Sequence, residues 1–228
     1  MPHKNIPIFI PHMGCPNQCV FCNQRSITGV SEFDPQSVKT VIDTALKTVE
    51  QDAEVEIAFF GGSFTGIDRE LMIRLLDIAE EYVRRDDDGR AKIIGVRMST
   101  RPDYIDNEIL KILRLHHVET IELGIQSVSD AVLFASKRGH TSERTREACR
   151  AVKEYGFKLI GQMMIGLPGS ILADEIETAR EICSLGADGA RVYPTVVFAD
   201  TELAEMSADG RYIPLTTEEA IERTASVL

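Results

Sequence analysis

The stretch that organises this chain reads Ile6-Pro7-Ile8-Phe9-Ile10 and then, four residues later, Cys15-Pro16-Asn17-Gln18-Cys19-Val20-Phe21-Cys22. The first part is short and apolar, which is typical of a buried β-strand. The second part spaces its thiols as C-x3-C-x2-C, so three of the five cysteines fall within eight residues. An odd, clustered cysteine count indicates a metal site rather than a disulfide framework. The sequence therefore predicts a strand that leads directly into a metal-binding loop.

The alternation of strand and connection continues outward from this segment. Short apolar segments predict strands at residues 6–10, 55–60, 92–98, 118–125, 158–165 and 188–193. Amphipathic segments between them predict helices at residues 38–49, 71–83, 106–116, 142–155 and 174–185. Asp34-Pro35 is predicted to cap the first helix. Six β/α alternations predict an α/β fold with a parallel sheet, either an open doubly wound sheet or a curved barrel fragment.

In both architectures the functional groups lie at the carboxyl ends of the strands. The least ordinary segments of the chain follow the six predicted strands: the cysteine loop, Gly61-Gly62-Ser63, Ser99-Thr100-Arg101-Pro102, Gln126-Ser127, Ile165-Gly166-Leu167-Pro168-Gly169 and Tyr193-Pro194-Thr195. Residues with a purely structural role would be scattered over the sheet and would not collect at one edge. The sequence thus predicts one site built from all six strand ends.

Composition limits the classes of protein that the chain can belong to. Its 228 residues, 43% hydrophobic and 27% charged, fit one soluble domain or two small ones. A net charge of -11 argues against broad electrostatic binding of nucleic acid, although a local basic groove stays open. No apolar run approaches the roughly 20 residues of a membrane span, and the N-terminus lacks a signal-peptide pattern. We expect a cytoplasmic protein that does not contact a membrane.

The cysteine loop admits three interpretations. Cys15, Cys19 and Cys22 could hold three irons of a cubane cluster and leave the fourth iron open for a substrate. A structural zinc ion would need a fourth ligand, which His12 could supply. Buried unreactive cysteines are the third possibility. Three thiols within eight residues favour the cluster, whereas Cys149 and Cys183 lie on predicted helices and are expected to be small core residues.

The C-x3-C-x2-C loop after the first strand resembles the signature of the radical S-adenosylmethionine (radical SAM) family, and later segments extend the resemblance over essentially the whole chain. The resemblance implies a [4Fe-4S] cluster on Cys15, Cys19 and Cys22, with S-adenosylmethionine on the fourth iron. It implies reductive cleavage to a 5′-deoxyadenosyl radical, with electrons from a reductant such as flavodoxin or ferredoxin. It also implies a partial (β/α)6 TIM-like barrel with parallel strands.

The same resemblance assigns cofactor contacts near the methionyl group. Phe21 lies inside the cysteine loop, and Gly61-Gly62-Ser63 resembles the Gly-Gly element that binds the methionyl amine. Ser99 stands where coproporphyrinogen-oxidase-like members carry a carboxylate, a departure from their pattern. Arg138 stands where those members place an arginine on the methionyl carboxylate, a group that suits a bidentate guanidinium.

Four further residues are assigned to the nucleoside half of the cofactor. Gln126 and Gln162 occupy positions where relatives bind the ribose hydroxyls with polar side chains. Ile165, with the two residues after it, would pack against adenine, and Tyr193 could stack on it. No residue is assigned to the catalytic hydrogen transfer itself.

Other segments resemble the radical domain of the elongator catalytic subunit, which modifies wobble uridine in tRNA. They are Ser99-Thr100-Arg101-Pro102-Asp103-Tyr104, Glu122-Leu123-Gly124-Ile125-Gln126-Ser127, Arg138-Gly139-His140-Thr141 and Val192-Tyr193-Pro194-Thr195. That subunit also carries an acetyltransferase domain, for which this chain has no room, and its first two cysteines are further apart. The substrate is therefore either tRNA or a small molecule. A basic rim for tRNA could come from Lys137, Arg138, Arg144, Arg146 and Arg150, which are equally typical of a solvated helix face.

We expect residues 1–228 to form one radical SAM core domain. Thr216 and Glu219 predict a capping box that opens a last helix, which stops at Leu228. The expectation is that the natural protein continues and that its next region covers the barrel mouth. The alternative to an enzyme is an iron–sulfur and S-adenosylmethionine binding protein that serves as a carrier or regulator without radical turnover.

Overall fold

The computed structural model describes residues 3–11, 13–15, 19–23, 33–83 and 92–228. The six strands are β1 (His3–Phe9), β2 (Glu54–Phe60), β3 (Lys92–Thr100), β4 (Val118–Gln126), β5 (Lys158–Ile165) and β6 (Gly189–Pro194). Helices in the described ranges are α1 (Ser37–Leu46), α2 (Arg69–Val83), α3 (Asn107–Leu115), α4 (Asp130–Ala135), α5 (Ser142–Glu154), α6 (Leu172–Ser184), α7 (Glu202–Ala208) and α8 (Thr217–Val227). All six predicted strands are confirmed, each within three residues at either end. The short helices α4 and α7 were not predicted.

The sheet resolves the ambiguity between a doubly wound sheet and a barrel fragment. Its strands pair in parallel in the order β1-β2-β3-β4-β5-β6, the same as their order in the chain. A doubly wound sheet reverses its strand order at a switch point, and this sheet has no reversal. Sequential right-handed crossovers place the helices on one face, so the sheet curls into a half-barrel whose other face lines the interior.

The core forms where the strands and the outer helices meet. Strand β2 is buried over nearly its whole length, as expected for a parallel strand covered on both faces. Ile57, Phe59, Leu75 and Leu76 belong to one continuous apolar cluster, and each such side chain stabilises the fold by about 1.5–3 kcal/mol through burial. Within the described ranges, no helix is long and apolar enough to cross a membrane.

Several helix starts follow the expected local chemistry. Asp106 accepts a hydrogen bond from the Ile109 amide at the start of α3, and Thr216 with Glu219 forms the predicted capping box of α8. The prediction that Asp34-Pro35 opens α1 is wrong by two residues. Asp34 Oδ1 instead accepts from the Gln36 amide at 2.9 Å, which makes a turn before the helix begins at Ser37.

The two cysteines outside the loop have different surroundings. Cys149 is fully buried in α5, and burial raises the pKa of its thiol to about 12, so the expected core role is confirmed. Cys183 is exposed, and its expected core role is wrong. Helix α6 packs through Glu175, Thr178 and Ile182, one position away from the apolar stripe that contains Cys183. Two of these contacts are polar, which is why hydrophobic periodicity pointed to the wrong face.

Candidate functional site

A cavity of about 420 Å³ opens at the carboxyl ends of the strands, where the sequence predicts the site. The structure brings eleven of the thirteen predicted site residues to its wall: Cys15, Cys19, Phe21, Cys22, Gly61, Gly62, Ser99, Gln126, Arg138, Gln162 and Tyr193. The side chains of Ser63 and Ile165 are fully buried and lie outside this wall. The wall also contains charged residues that the sequence reasoning did not select, among them Arg101, Glu122 and Arg191.

The cysteine loop presents its sulfurs to the cavity from one side. Cys15 is exposed, Cys19 buried and Cys22 intermediate, and the Cys22 amide donates to the Cys19 carbonyl at 3.0 Å. A zinc ion with bonds of about 2.3 Å would draw its sulfur ligands to roughly 3.8 Å from one another. The three sulfurs do not gather within 4.8 Å among the described residues, an arrangement that suits ligands of separate irons better than ligands of one ion. The proposed zinc ligand His12 and residues 16–18 lie outside the described residues.

Interlocked glycines seat the cysteine loop against the end of β2. A Cβ on Gly62 would lie 2.1 Å from the Met13 carbonyl oxygen, and one on Gly14 would lie 2.2 Å from the Ser63 carbonyl oxygen. Gly14 also has a φ of +73°, a conformation that favours glycine. The Ser63 amide donates to Met13 at 3.0 Å. Gly62 therefore allows the cysteine loop to pack closely against the end of β2. This role is additional to the cofactor contact that the resemblance implies.

A second segment holds the cysteine loop from the opposite side. The Leu203 amide donates to the Val20 carbonyl at 2.8 Å, and Val20 packs with Leu203 and Tyr212 in a small apolar cluster that Phe21 joins. The Tyr212 hydroxyl donates to the Gly166 carbonyl after β5 at 2.7 Å. The region around α7 thus ties the loop to the far side of the half-barrel.

Arg138 is a buried cation directed at the cysteine loop. Its guanidinium donates from Nη1 to Cys19 Sγ at 3.1 Å and from Nη2 to the Gly124 carbonyl at 2.6 Å. Its Nε is buried and has no partner among the described residues, and none of their carboxylates forms an ion pair with it. A buried charge without a counterion is costly. A negatively charged group beside the Arg138 guanidinium would therefore stabilise the site. The cysteine thiolates and a carboxylate of a bound ligand are groups of this kind.

Arg101 supports Arg138 from behind. Its guanidinium donates to Asp103 through Nε at 2.9 Å and Nη2 at 2.8 Å, and Nη2 also donates to the Arg138 carbonyl. Desolvation opposes ionisation of Asp103, but the Arg101 hydrogen bonds hold the pKa of this carboxyl below its usual range. Burial and then the charge of Arg138 lower the pKa of nearby His140 to about 4, so its imidazole is neutral. The pair Arg101–Asp103 fixes the segment that carries Arg138.

The Cys15 side chain is exposed, yet neighbouring protein atoms partly desolvate its thiol and raise its pKa, and the positive charges of Arg101 and Arg138 act against that rise. Since a metal binds the thiolate and not the thiol, binding at this loop releases protons. The two guanidinium groups therefore favour the form of the loop that can hold metal.

Two amide side chains face the cavity with acceptors available. Gln126 has a φ of +69° at a bulge between β4 and β5, and its Oε1 is buried without a partner among the described residues. Gln162 Nε2 donates to Glu122 Oε2 at 2.7 Å, which leaves the carbonyl oxygen of this amide as its free end. A strained backbone and an unsatisfied acceptor are costly and occur mostly at functional sites. Two carbonyl acceptors suit a ligand that donates from hydroxyl groups, as ribose does.

A network of paired charges lines the inner face and reaches the cavity wall through Glu122 and Arg191. We define the interior network as Glu56, Arg97, Glu122 and Arg191. Arg97 donates to Glu56 at 2.9 Å and to Glu122 at 2.7 Å, and Arg191 donates to Glu122 at 2.9 and 3.1 Å. Burial alone would raise the pKa of Glu122, but hydrogen bonds from Arg191, Arg97 and Gln162 hold it below its usual range. Glu122 remains ionised and fixes Gln162 in the orientation described above.

The remaining predicted contacts have simpler surroundings. Ser99 lies on the wall at the end of β3 and carries no charge. Tyr193, on β6, is 43% exposed at the mouth of the cavity. The Ser63 hydroxyl is committed to Thr100 at 3.0 Å and to the Arg101 amide at 3.1 Å, so it positions the end of β3.

The basic residues near α5 are paired with acids. Lys137 binds Glu202 at 2.6 Å and Arg144 binds Glu147 at 2.9 Å. Arg146 pairs with Glu181, Arg150 lies 3.9 Å from Glu143, and Arg138 is buried at the cavity. Of the two interpretations of this set, the geometry favours a solvated, ion-paired helix face.

Comparison with protein families gives two adjoining matches. The model described as the radical SAM superfamily matches residues 9–182, and the model described as the radical SAM C-terminal domain matches residues 187–228. The second match covers β6, α7 and α8, the region that holds the cysteine loop from the far side.

Curated relatives and solved structures agree with this match. Elongator complex protein 3 of Bos taurus is 30% identical over 247 residues, covering 93% of this chain and 45% of the relative. The tRNA uridine(34) acetyltransferase of Methanocaldococcus jannaschii is 30% identical over 245 residues, covering 91% and 45%. The chain spans about half the length of these relatives.

Two solved structures share the fold. Elp3 of Methanocaldococcus infernus superposes with a TM-score of 0.76 at 24% identity, covering 99% of this chain and 53% of that one. Coproporphyrinogen III oxidase (HemN) of Escherichia coli, itself described as a radical SAM enzyme, superposes with a TM-score of 0.66 at 16% identity, covering 98% of this chain and 51% of that one. These similarities confirm the partial TIM-like barrel.

Proposed function

The chain belongs to the radical SAM superfamily, and we propose that it is an enzyme that binds a [4Fe-4S] cluster through Cys15, Cys19 and Cys22 and S-adenosylmethionine in the adjoining cavity. When bound, this pair of cofactors supplies one-electron cleavage of the sulfonium to methionine and a 5′-deoxyadenosyl radical that abstracts a substrate hydrogen. The observation that carries the proposal is the buried Arg138, which donates to Cys19 Sγ and has no carboxylate partner within the part of the chain that the structure describes.

The residues of the cavity divide the binding of the cofactor between them. Arg138 supplies a cation for the methionyl carboxylate, and Gln126 and Gln162 supply acceptors for the ribose hydroxyls. Glu122 keeps the Gln162 amide oriented. The paired Arg101 and Asp103 keep Arg138 in place without adding net charge. These residues bind, orient and exclude water, which is the contribution expected of the protein around such a cofactor.

For the substrate we propose a nucleoside within tRNA. The relatives named for elongator function and for tRNA uridine(34) acetylation support this choice, as do the matching segments around Ser99, Glu122, Arg138 and Val192. The ion-paired face of α5 does not add to it. Because those cations are already neutralised, we expect tRNA to bind this chain weakly, with little dependence on salt. We further propose a cytoplasmic location and a flavodoxin or ferredoxin as reductant.

Anaerobic reconstitution tests the proposal. We expect about four irons per chain, the content of one cubane cluster, and 5′-deoxyadenosine on addition of dithionite and S-adenosylmethionine. A stable cluster that binds S-adenosylmethionine without cleaving it would favour the alternative carrier or regulatory role. One zinc ion and no visible absorption would contradict both.

The substrate class needs a separate test. We expect tRNA to increase the rate of 5′-deoxyadenosine formation over the rate without substrate, and deuterium from labelled tRNA to appear in the 5′-deoxyadenosine. Equal rates with tRNA, with a tRNA lacking uridine at the wobble position and with no RNA would contradict a tRNA substrate while leaving the radical chemistry intact.

A further inference from the structure

A second group of metal-ligating side chains lies at the opposite end of the sheet from the cavity. We define the basal cluster as Asp77, Glu80, His116 and His117. The two acids lie on α2, and the two histidines form the turn between α3 and β4. Adjacent histidines do not have the spacing of a metal motif in the sequence. The fold completes the group by packing a different helix against them.

The distances within the basal cluster suit a shared ion. His116 Nδ1 lies 3.4 Å from Asp77 Oδ1 and 3.4 Å from Glu80 Oε2, and one ligand atom from each of these residues lies within 4.8 Å of the others. Ligands of a tetrahedral Zn²⁺ with bonds of about 2.0–2.1 Å are roughly 3.3–3.4 Å apart. The two distances from His116 Nδ1 thus match those between neighbouring ligands of one ion.

The hydrogen bonding of His116 supports the same conclusion. Its Nδ1 atom is buried but has no hydrogen-bond partner among the described residues, although two carboxylate oxygens face it. Nδ1 thus faces two carboxylate oxygens at 3.4 Å without a hydrogen bond of good geometry to either, and a cation between the three atoms would contact all of them. A buried polar atom without a partner costs free energy unless a ligand satisfies it.

His117 orients the group from the other side of Glu80. Its Nδ1 lies 3.1 Å from Glu80 Oε1, so the two oxygens of this carboxylate face different histidines. His117 has a φ of +56°, in the left-handed region, which turns its ring toward Glu80. A hydrogen-bonded neighbour that fixes a ligating carboxylate is a regular feature of metal sites.

We propose that Asp77, Glu80 and His116 bind a divalent first-row transition ion, Zn²⁺ by preference. One imidazole and two carboxylates suit Zn²⁺, whereas Mg²⁺ and Ca²⁺ prefer oxygen ligands alone. The ion would tie α2 to the turn that starts β4. Its place at the amino-terminal ends of the strands makes it a structural brace, separate from the cysteine loop.

Zinc content and thermal stability of the full chain test this site. The cysteine loop is first loaded with its iron–sulfur cluster, so that its thiols are occupied, and the protein is equilibrated with buffered Zn²⁺ and analysed for both metals by mass spectrometry. We expect about one zinc per chain in the wild type. At a free concentration 100 times the dissociation constant, the melting temperature should rise by about 5–10 °C.

Matched variants decide the assignment. His116→Asn and the solvent-facing Asp77→Asn should each weaken Zn²⁺ binding at least tenfold, and His3→Asn, which changes a histidine outside the cluster, should not. Asp77 is exposed, so its variant stays informative if His116→Asn fails to fold. In a variant with Cys15, Cys19 and Cys22 changed to Ser, Co²⁺ should give visible bands of a nitrogen and oxygen site without thiolate charge transfer. Three outcomes would overturn the proposal. They are a zinc content no higher than background in the wild type, unchanged zinc binding in Asp77→Asn, and loss of the bound zinc in the variant with Cys15, Cys19 and Cys22 changed to Ser.

Discussion

The inner face of the half-barrel carries two polar regions that differ in how their groups are paired. In the interior network, Glu56 and Glu122 alternate with Arg97 and Arg191, and each charge has a partner of opposite sign. At the cavity wall, Arg138 has no carboxylate partner and Gln126 Oε1 has no donor among the described residues. Both regions include residues of strand β4, Glu122 in the first and Gln126 in the second, so the strand itself does not cause the difference. The ion pairs of the interior network stabilise the barrel, whereas the polar groups of Arg138 and Gln126 are available to bind a ligand.

The largest effect expected on the unpaired region is the loss of its cluster. Cys19→Ala removes the most buried of the three thiolates and should abolish iron binding and 5′-deoxyadenosine formation. Circular dichroism should stay that of the wild type, because the loop lies outside the sheet. Cys183→Ala is the matched control, since Cys183 is exposed on α6. Full iron content in Cys19→Ala, or its global unfolding, would contradict a purely functional loop.

The unpaired region was largely predictable from the sequence, and the paired one was not. Strand ends in a parallel sheet converge whatever the curvature, so the segment after the fourth predicted strand identifies Gln126, whereas Arg138 and Gln162 come from the family resemblance. Glu122 and Arg97 lie in the middle of strands, where a charged residue predicts a side chain that faces solvent. The curvature of the sheet brings Arg97 of β3 and Arg191 of β6 to the Glu122 carboxylate.

Polar contacts between distant residues also explain why the prediction for Cys183 is wrong. Cys183 was placed in the core because periodicity counts apolar residues, whereas α6 packs through Glu175 and Thr178. The Glu175 carboxylate accepts from the Gly166 amide at 2.7 Å and from Arg223 at 2.9 Å, contacts that join α6 to residues distant in the chain. Long-range polar contacts of this kind have no local sequence signal.

Breaking the interior network should cost stability without removing the cluster. Glu122→Gln leaves Arg191 without a carboxylate partner among the described residues, while Arg97 keeps Glu56. We expect a loss of about 2–3 kcal/mol in the free energy of unfolding, less than for a fully buried pair because Arg191 is 40% exposed. Urea unfolding of the cluster-free protein at pH 7 measures it.

The pH dependence of this variant follows from the lowered pKa of Glu122. A depressed folded-state pKa stabilises the protein above the unfolded-state value and loses that contribution as pH falls through the folded-state value. The difference between wild type and Glu122→Gln should therefore be full at pH 7 and shrink below about pH 4. A constant difference down to pH 3 would indicate that the lost stability comes from packing and not from charge.

Removing the unpaired cation should affect the ligand and spare the fold. Arg138→Met should weaken binding of S-adenosylmethionine to the cluster-loaded protein by about 2 kcal/mol, near thirtyfold. Iron content should remain at the wild-type level, because the cysteines are unchanged. Arg150→Met provides the control, since Arg150 is exposed on α5 with one contact of 3.9 Å to Glu143. Equal affinities in the two variants, measured by calorimetry, would remove Arg138 from the cofactor site.

The smallest expected effect lies at the pair Arg101–Asp103, which holds the Arg138 backbone. Asp103→Asn removes the charge that neutralises Arg101 while keeping the shape of the side chain, and should cost about 1 kcal/mol of stability because Asp103 is partly exposed. The released positive charge of Arg101 then acts on Cys15 and Cys19, to which it is already coupled. A cation near a cluster stabilises its reduced form, so the midpoint potential should move in the positive direction. Asp103→Glu restores the charge and should restore the potential, whereas an unchanged potential in Asp103→Asn would limit the pair to holding the Arg138 backbone.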